Sequence, residues 1–392
     1  MRTITIKLAV VLVVVGCAAY FSLNKPGAGE VINGQTPIPA VGEFGGPGRS
    51  LDAAETAKWL AGRVIFDHDF HVDEGLGTPE FNADSCRACH RDPTIGGSGG
   101  LELNVLRYGF DGGTQANFVN LPNGQVASKL RLPGMGRDEL ETNADVFEQR
   151  QTPPIFGSGR VDLIPDANIL ANEDPTDADG DGIFGVAHMV TVGGGGIEVG
   201  RFGWKAQLPR LSDFLNDAMA GENGLTTPDN GRGFNLATDG DGVADPELSV
   251  SEFDDCLFFM KELAPPPRGG STHPDVVIGQ SYFNAIGCAV CHRPSLNDVN
   301  GDPVQLYSDL LLHNVLPADF HGVVQGQAGV GYYRTPPLWG IRHSAPYFHD
   351  GRAETILEAI QSHEGEAIEV VTGFNDLAPA HQQAVLMFLN DL

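Results

Sequence analysis

A chain of 392 residues is long enough to bury two cores. Its 24 Lys and Arg against 51 Asp and Glu give a formal net charge of −27, which argues against nucleic acid and anionic lipid surfaces as partners. The same charge suits a cationic protein partner, or simply a well-solvated secreted surface.

Residues 1–17 read as an export signal. Arg2 and Lys7 precede an apolar run over 8–15, and Val14-Val15-Gly16-Cys17 resembles a lipobox. Cleavage before Cys17 and its lipidation would tether the body to a membrane through acyl chains. The competing reading is an uncut anchor over 8–23, whose 16 residues fall short of the ~17–25 of a spanning helix. Either way the body is exported, to the periplasm or the cell surface. Residues 18–50, rich in Gly and Pro, are expected to be a flexible linker. The first helix should start at Ser50-Leu51-Asp52, ahead of AAETAKWLAGRVIF.

His68 and His71 lie in a polar stretch before FNADSCRACH (81–90), which returns as FNAIGCAVCH at 283–292. Each copy holds Cys-x-x-Cys-His, the spacing that lets two thiols add across the two vinyl groups of a porphyrin. The next imidazole then lies where it can bind the iron. Cys86, Cys89, Cys288 and Cys291 are thus assigned to two haems c, with His90 and His292 as proximal ligands. His68 or His71 could supply a distal ligand, or be ordinary loop histidines. With four of six cysteines so used, no disulfide framework is implied, and Cys256 reads as a buried thiol.

Alternation over 101–107 and 125–132 predicts short strands. TPPIFG at 152–157 is echoed by TPPLWG at 335–340, and helices over 251–263 and 379–392 close each half. Met260 and Met387 on those helices read as core. Pro265-Pro266-Pro267 ends the first closing helix. The expected fold is mainly α: two cytochrome c-like haem domains related by internal duplication, 51–268 and 269–392, with long loops and a few short strands. Within an insert, DPTDADGDGIFG (174–185) brings Asp177, Asp179 and Asp181 into an alternating pattern that could hold calcium. It is no EF-hand, and a solvated acidic turn is the alternative. TDGDGVAD (238–245) is a weaker version.

These motifs, with GRFGWKA (200–206), HDGRA (349–353) and LEAIQSHEGEA (357–367), resemble the di-haem oxidoreductases of the thiol-oxidoreductase-like group, relatives of bacterial di-haem cytochrome c peroxidases and of MauG. The resemblance spans about residues 51–392. It implies one haem that passes electrons and one that meets peroxide or another oxidant. At the position where the peroxidases hold the second iron with Met, and MauG with Tyr, stands His363. The second half also offers no Met between His292 and Met387. His349 and His343 are the competing ligands. For the first haem, the corresponding region offers Gln207, Asp213, Met219 and Glu222, with Asp162 farther back. Glu222 is the preferred acid–base group and Met219 a candidate sixth ligand. Trp204 stands where the peroxidases place a tryptophan between haems. The resemblance also implies a structural calcium, for which the Asp177/Asp179/Asp181 loop is the named candidate.

The expected function is that of an exported di-haem cytochrome, peroxidase-like, taking electrons from a small redox protein or another cytochrome. The alternative is a non-enzymatic carrier with both irons six-coordinate. A MauG-like oxidase of a partner protein would lack its Tyr ligand here.

Overall fold

A computed structural model describes residues 38–392 except 78–79, 123, 133–135 and 137–138. The export signal and Cys17 lie outside the described residues.

Two helix pairs organise the chain. The first begins at Asp52, whose carboxylate accepts from Glu55 N (2.9 Å) while Glu55 accepts from Asp52 N (3.0 Å). These two bonds satisfy donors that the first helical turn would otherwise leave open. The helix Ala53–Asp67 packs on Val250–Glu262, which Ser249 and Glu252 cap in the same way. Contact is close because position 62 is glycine; a Cβ there would stand 1.9 Å from Asp255 O. The second pair, Pro274–Ala285 on Pro379–Asp391, meets at Gly279, where a Cβ would stand 1.9 Å from Ala384 O.

One turn beyond each glycine a phenylalanine bridges the partner helix and a motif histidine. Phe66 lies 5.3 Å from Phe259 and 6.2 Å from His90; Phe283 lies 5.2 Å from Phe388 and 6.4 Å from His292. The two Thr-Pro-Pro segments also end alike. Gly157 N donates to Leu263 O and Gly340 N to Leu392 O, each the capping residue just past a closing helix. Both glycines have positive φ, which a β-carbon would strain.

Among the described residues only 33% are helical, and the strands are few and short; helices carry the cores while loops carry most of the length. The stretch predicted as a strand over 101–107 opens as a 3-10 turn, Leu101–Leu103. The strand itself is Val105–Gly109, paired with Val126–Ala127 and Val146–Arg150. The 18–50 linker also ends earlier than expected. Gly48 N donates to Glu262 O, Ala264 N to Gly46 O, and Phe44 packs edge-on against Phe156 and His343. Gly and Pro here make close turns against the body rather than a tether.

Packing does not divide at residue 268. The first core takes in Leu296, Val304, Leu306, Leu310, Leu311 and Trp339 from the second half. Val186 and Leu312 exchange backbone hydrogen bonds, and Arg334 N donates to Trp204 O.

Candidate functional site

Each Cys-x-x-Cys segment is one short helix, Cys86–Cys89 and Cys288–Cys291, so both thiols project from one turn with the histidine just past its end. Three of the predicted iron ligands are held identically. His90 Nδ1 lies 3.1 Å from Gly97 O, His292 Nδ1 3.0 Å from Tyr307 O, and His363 Nδ1 2.7 Å from Ala359 O. A backbone carbonyl accepts only from N–H, so this network assigns the proton to Nδ1 and leaves each Nε2 lone pair free. Burial lowers the pKa of His90 and His292 to about 4 and also lowers that of His363. All three are neutral imidazoles at pH 7, as a metal ligand must be.

These side chains lie deep among protein atoms, yet each keeps accessible surface, as do Cys86, Cys89, Cys288, Cys291 and Glu222. Around the second motif is a cavity of about 230 Å³, mostly apolar, and walled by Cys288, Cys291, His292, His363, His349 and Trp204. Paired thiols, a neutral imidazole with a free nitrogen and an apolar enclosure fit what a covalently attached haem requires. The charge of His363 would act on His292, so the two imidazoles are near one another.

Of the competing ligands, His349 walls the same cavity, stacked on Tyr333 at 3.9 Å. Its Nε2 is closed to solvent and makes no hydrogen bond among the described residues. His343 is exposed and accepts from Arg342 Nε at 2.9 Å. Trp204 donates Nε1–H to Gln151 O at 2.8 Å. Gln151 in turn donates Nε2–H to Gly99 O at 2.9 Å and its backbone N–H to His349 O. The loop after His90 is therefore joined through Gln151 and Trp204 to the wall of the second cavity.

At the first motif the candidates separate. Asp213 is fully buried but spent on Arg232, with both carboxylate oxygens 2.7 Å from the guanidinium. Asp162 accepts from Leu211 N and pairs with Lys261. Gln207 folds back on its own turn, accepting from Lys205 N, and does not join the groups around Glu222. His68 pairs with Glu74 at the surface and His71 is exposed. Met219 is fully buried in the first apolar core, against which Cys86 packs.

Glu222 remains. It sits in a π-helical turn, Met219–Asn223, near Cys89. Burial raises its pKa; Arg107 and a hydrogen bond from Asn82 Nδ2 (2.7 Å) pull it down, and Asp217 pushes it up. A carboxyl with this balance can take a proton and give it back.

In the acidic loop the converging carboxylates are Asp174, Asp177 and Asp179, whose oxygens lie within 4.8 Å of one another. Asp181, placed in that set by the alternation, turns instead to accept from Ile183 N at 2.9 Å. Asp174 enters because the loop folds back on its first residue.

Sequence reasoning missed Asn82, Arg107 and Asp217, which come to Glu222 from distant segments. It also missed His313, buried between Asp309 (2.9 Å) and Glu366 (3.1 Å) and 3.6 Å from Cys291 Sγ. Burial disfavours its charge, yet bonds to Asp309, Cys291 and Glu366 outweigh that and raise its pKa well above the ordinary value. Only the repeated FNA ahead of each motif hinted at one of these, Asn82.

A family model described as "Di-haem oxidoreductase, putative peroxidase" matches residues 137–392. No curated protein matches in sequence. Among solved structures the chain is similar to hydrazine synthase of Kuenenia stuttgartiensis, at 15% identity and TM-score 0.44, covering 93% of this chain and 95% of that one. It is also similar to a MauG-like protein associated with microbial copper homeostasis, at 17% identity and TM-score 0.40, covering 91% and 94%.

Proposed function

The chain belongs to the di-haem oxidoreductase family, and from that premise we propose that it is an exported di-haem c-type cytochrome that reduces hydrogen peroxide or a similar oxidant. The observation carrying this reading is an asymmetry between two matching motifs. His292 shares its cavity with a second neutral imidazole, whereas the first motif has the carboxyl of Glu222 beside Cys89. One centre then passes electrons and the other meets the oxidant.

In this reading Cys86 and Cys89 would hold one haem c by thioethers and Cys288 and Cys291 the other, with His90 as the imidazole ligand of the first and His292 and His363 as those of the second. Bound there, the haems supply redox-active iron and, at the first site, an exchangeable coordination position. Glu222 takes the proton from one peroxide oxygen and returns it to the other as the O–O bond breaks. Two electrons from a small redox protein or cytochrome, with two protons from solvent, turn one H2O2 into two waters. Arg107 steadies negative charge beside that oxygen. Trp204 and Gln151 give the electrons a packed route between sites.

The second reading, a carrier with two six-coordinate irons, is favoured by one observation: Met219, a thioether, is buried next to the first motif. Two measurements on exported protein decide. Mass spectrometry should find two covalent haems, and the ferric spectrum should contain one high-spin or cyanide-responsive iron. Two low-spin irons that ignore cyanide and peroxide would leave the carrier reading standing.

We also propose calcium at Asp174, Asp177 and Asp179. Phe184, at the end of that loop, donates its backbone N–H to Glu366 at 2.7 Å, so the loop is mechanically joined to the His313 cluster. Chelation should lower Tm by a few degrees, since a ligand at a hundredfold excess over Kd stabilises by about 2.7 kcal/mol. An unchanged melting curve in calcium-free protein would reject the site. Export and lipidation at Cys17 complete the proposal, and the acidic surface suits a cationic donor.

A further inference from the structure

We propose that Asn82 is the positioning residue that aims the Glu222 carboxylate, and that the FNA segment ahead of the first motif is built for this purpose. The inference rests on the reading of Glu222 as the proton-transfer group. Asn82 is 6% exposed and uses both ends of its amide. Its Nδ2 donates to Glu222 Oε2 at 2.7 Å, and its Oδ1 accepts from Lys129 N at 3.0 Å. An amide fixed at both ends cannot rotate, so one carboxylate oxygen of Glu222 has a set direction.

The backbone adds to this. Asn82 N and Ala83 N both donate to Glu222 O, at 2.7 and 3.2 Å, and Asn223 Nδ2 donates to Ala83 O at 2.7 Å. A π-helical turn leaves the regular ladder incomplete, and here the FNA segment supplies the missing partners. Three residues farther on the same segment reaches Cys86. Attachment of a haem and placement of Glu222 are thus carried by one short stretch. In the second copy Asn284 is exposed, so the same three letters hold no carboxylate there. The difference follows from what packs overhead, not from the motif.

The charged groups around Glu222 are Arg107, Lys129 and Asp217, with Cys89 nearby. Against them the Asn82 hydrogen bond favours the ionised form, because it is made to a charge. Its loss should therefore raise the pH at which Glu222 gains its proton.

The test uses the haem-loaded protein and three variants: Asn82→Ala, Asn82→Asp and Glu222→Gln. Infrared difference spectra follow the protonated carboxyl band against pH, and peroxide turnover is measured over the same range. We expect Asn82→Ala to move the Glu222 midpoint up by about one pH unit, a tenfold change in proton affinity. Asn82→Asp, close in shape but unable to donate at pH 7, should move it farther. Glu222→Gln should abolish the band. If Glu222→Gln removes both band and turnover while neither Asn82 variant shifts the midpoint, the positioning role is wrong and the acid–base role stands. If Glu222→Gln removes the band but leaves turnover intact, the acid–base reading falls and the proposal falls with it. Should Asn82→Ala fail to fold, Asn82→Asp alone decides.

Discussion

Replacing Glu222 by Gln should cut peroxide turnover by about 10²–10⁴-fold, the usual worth of a placed acid–base group, while both covalent haems remain. Gln keeps the acceptor that Asn82 needs but cannot carry the proton. The pH profile gives a second reading. Glu222 must be ionised to accept the peroxide proton, and burial raises its pKa above that of an ordinary glutamate. Activity should therefore fall as pH drops, at a higher pH than an ordinary glutamate would produce. Removing Arg107, which holds that pKa down, should move this acid limb up again. Steady-state turnover against pH checks all three statements. Full activity in the Gln variant would end the assignment.

The second large effect is expected at His363. Its Gly variant should lose the low-spin bis-imidazole signature of the second haem, and that iron should become reactive to cyanide. Added imidazole should restore the spectrum, since the cavity would have room for it. The physical basis is the free Nε2: Ala359 O fixes the Nδ1 proton, and the imidazole faces the cavity that holds His292. A water ligand in place of imidazole should also change the reduction potential, which axial ligation sets. Electron paramagnetic resonance and a redox titration are the measurements. An unchanged signal would point to His349, which walls the same cavity and whose Nε2 makes no hydrogen bond among the described residues. The His349→Gly variant would then show the loss.

Beside the mostly apolar cavity of the second motif lies a buried polar cluster. A chain with net charge −27 places an imidazolium, His313, beside Cys291. It is held by two carboxylates, and one of them, Glu366, is itself tied to Phe184 N and Asn314 N. Read alone, Cys291, Asp309 and His313 form a metal-like cluster. In the proposed reading Cys291 forms a thioether, which leaves Asp309 and His313 as a buried hydrogen-bonded pair.

What the sequence by itself determined are the features whose cause is local. The spacing of Cys86, Cys89 and His90 is that of one helical turn with the histidine just past its end, so it survives as a readable string. Asp52 with Glu55, and Ser249 with Glu252, are capping pairs three residues apart.

Only the tertiary structure decided which carboxylate is available at the first motif. Asp162, Asp213 and Glu222 look alike in the string. Leu211 N, Lys261 and Arg232 claim the first two, and those partners are brought in by packing rather than by proximity along the chain. Asn82 reaches Glu222 across 140 residues, and Asp174 displaces Asp181 because the loop closes on its own start. Covalent geometry and hydrogen bonds within a turn are written in neighbouring letters. Contacts that depend on where a distant segment comes to rest are fixed only when the core has closed around them.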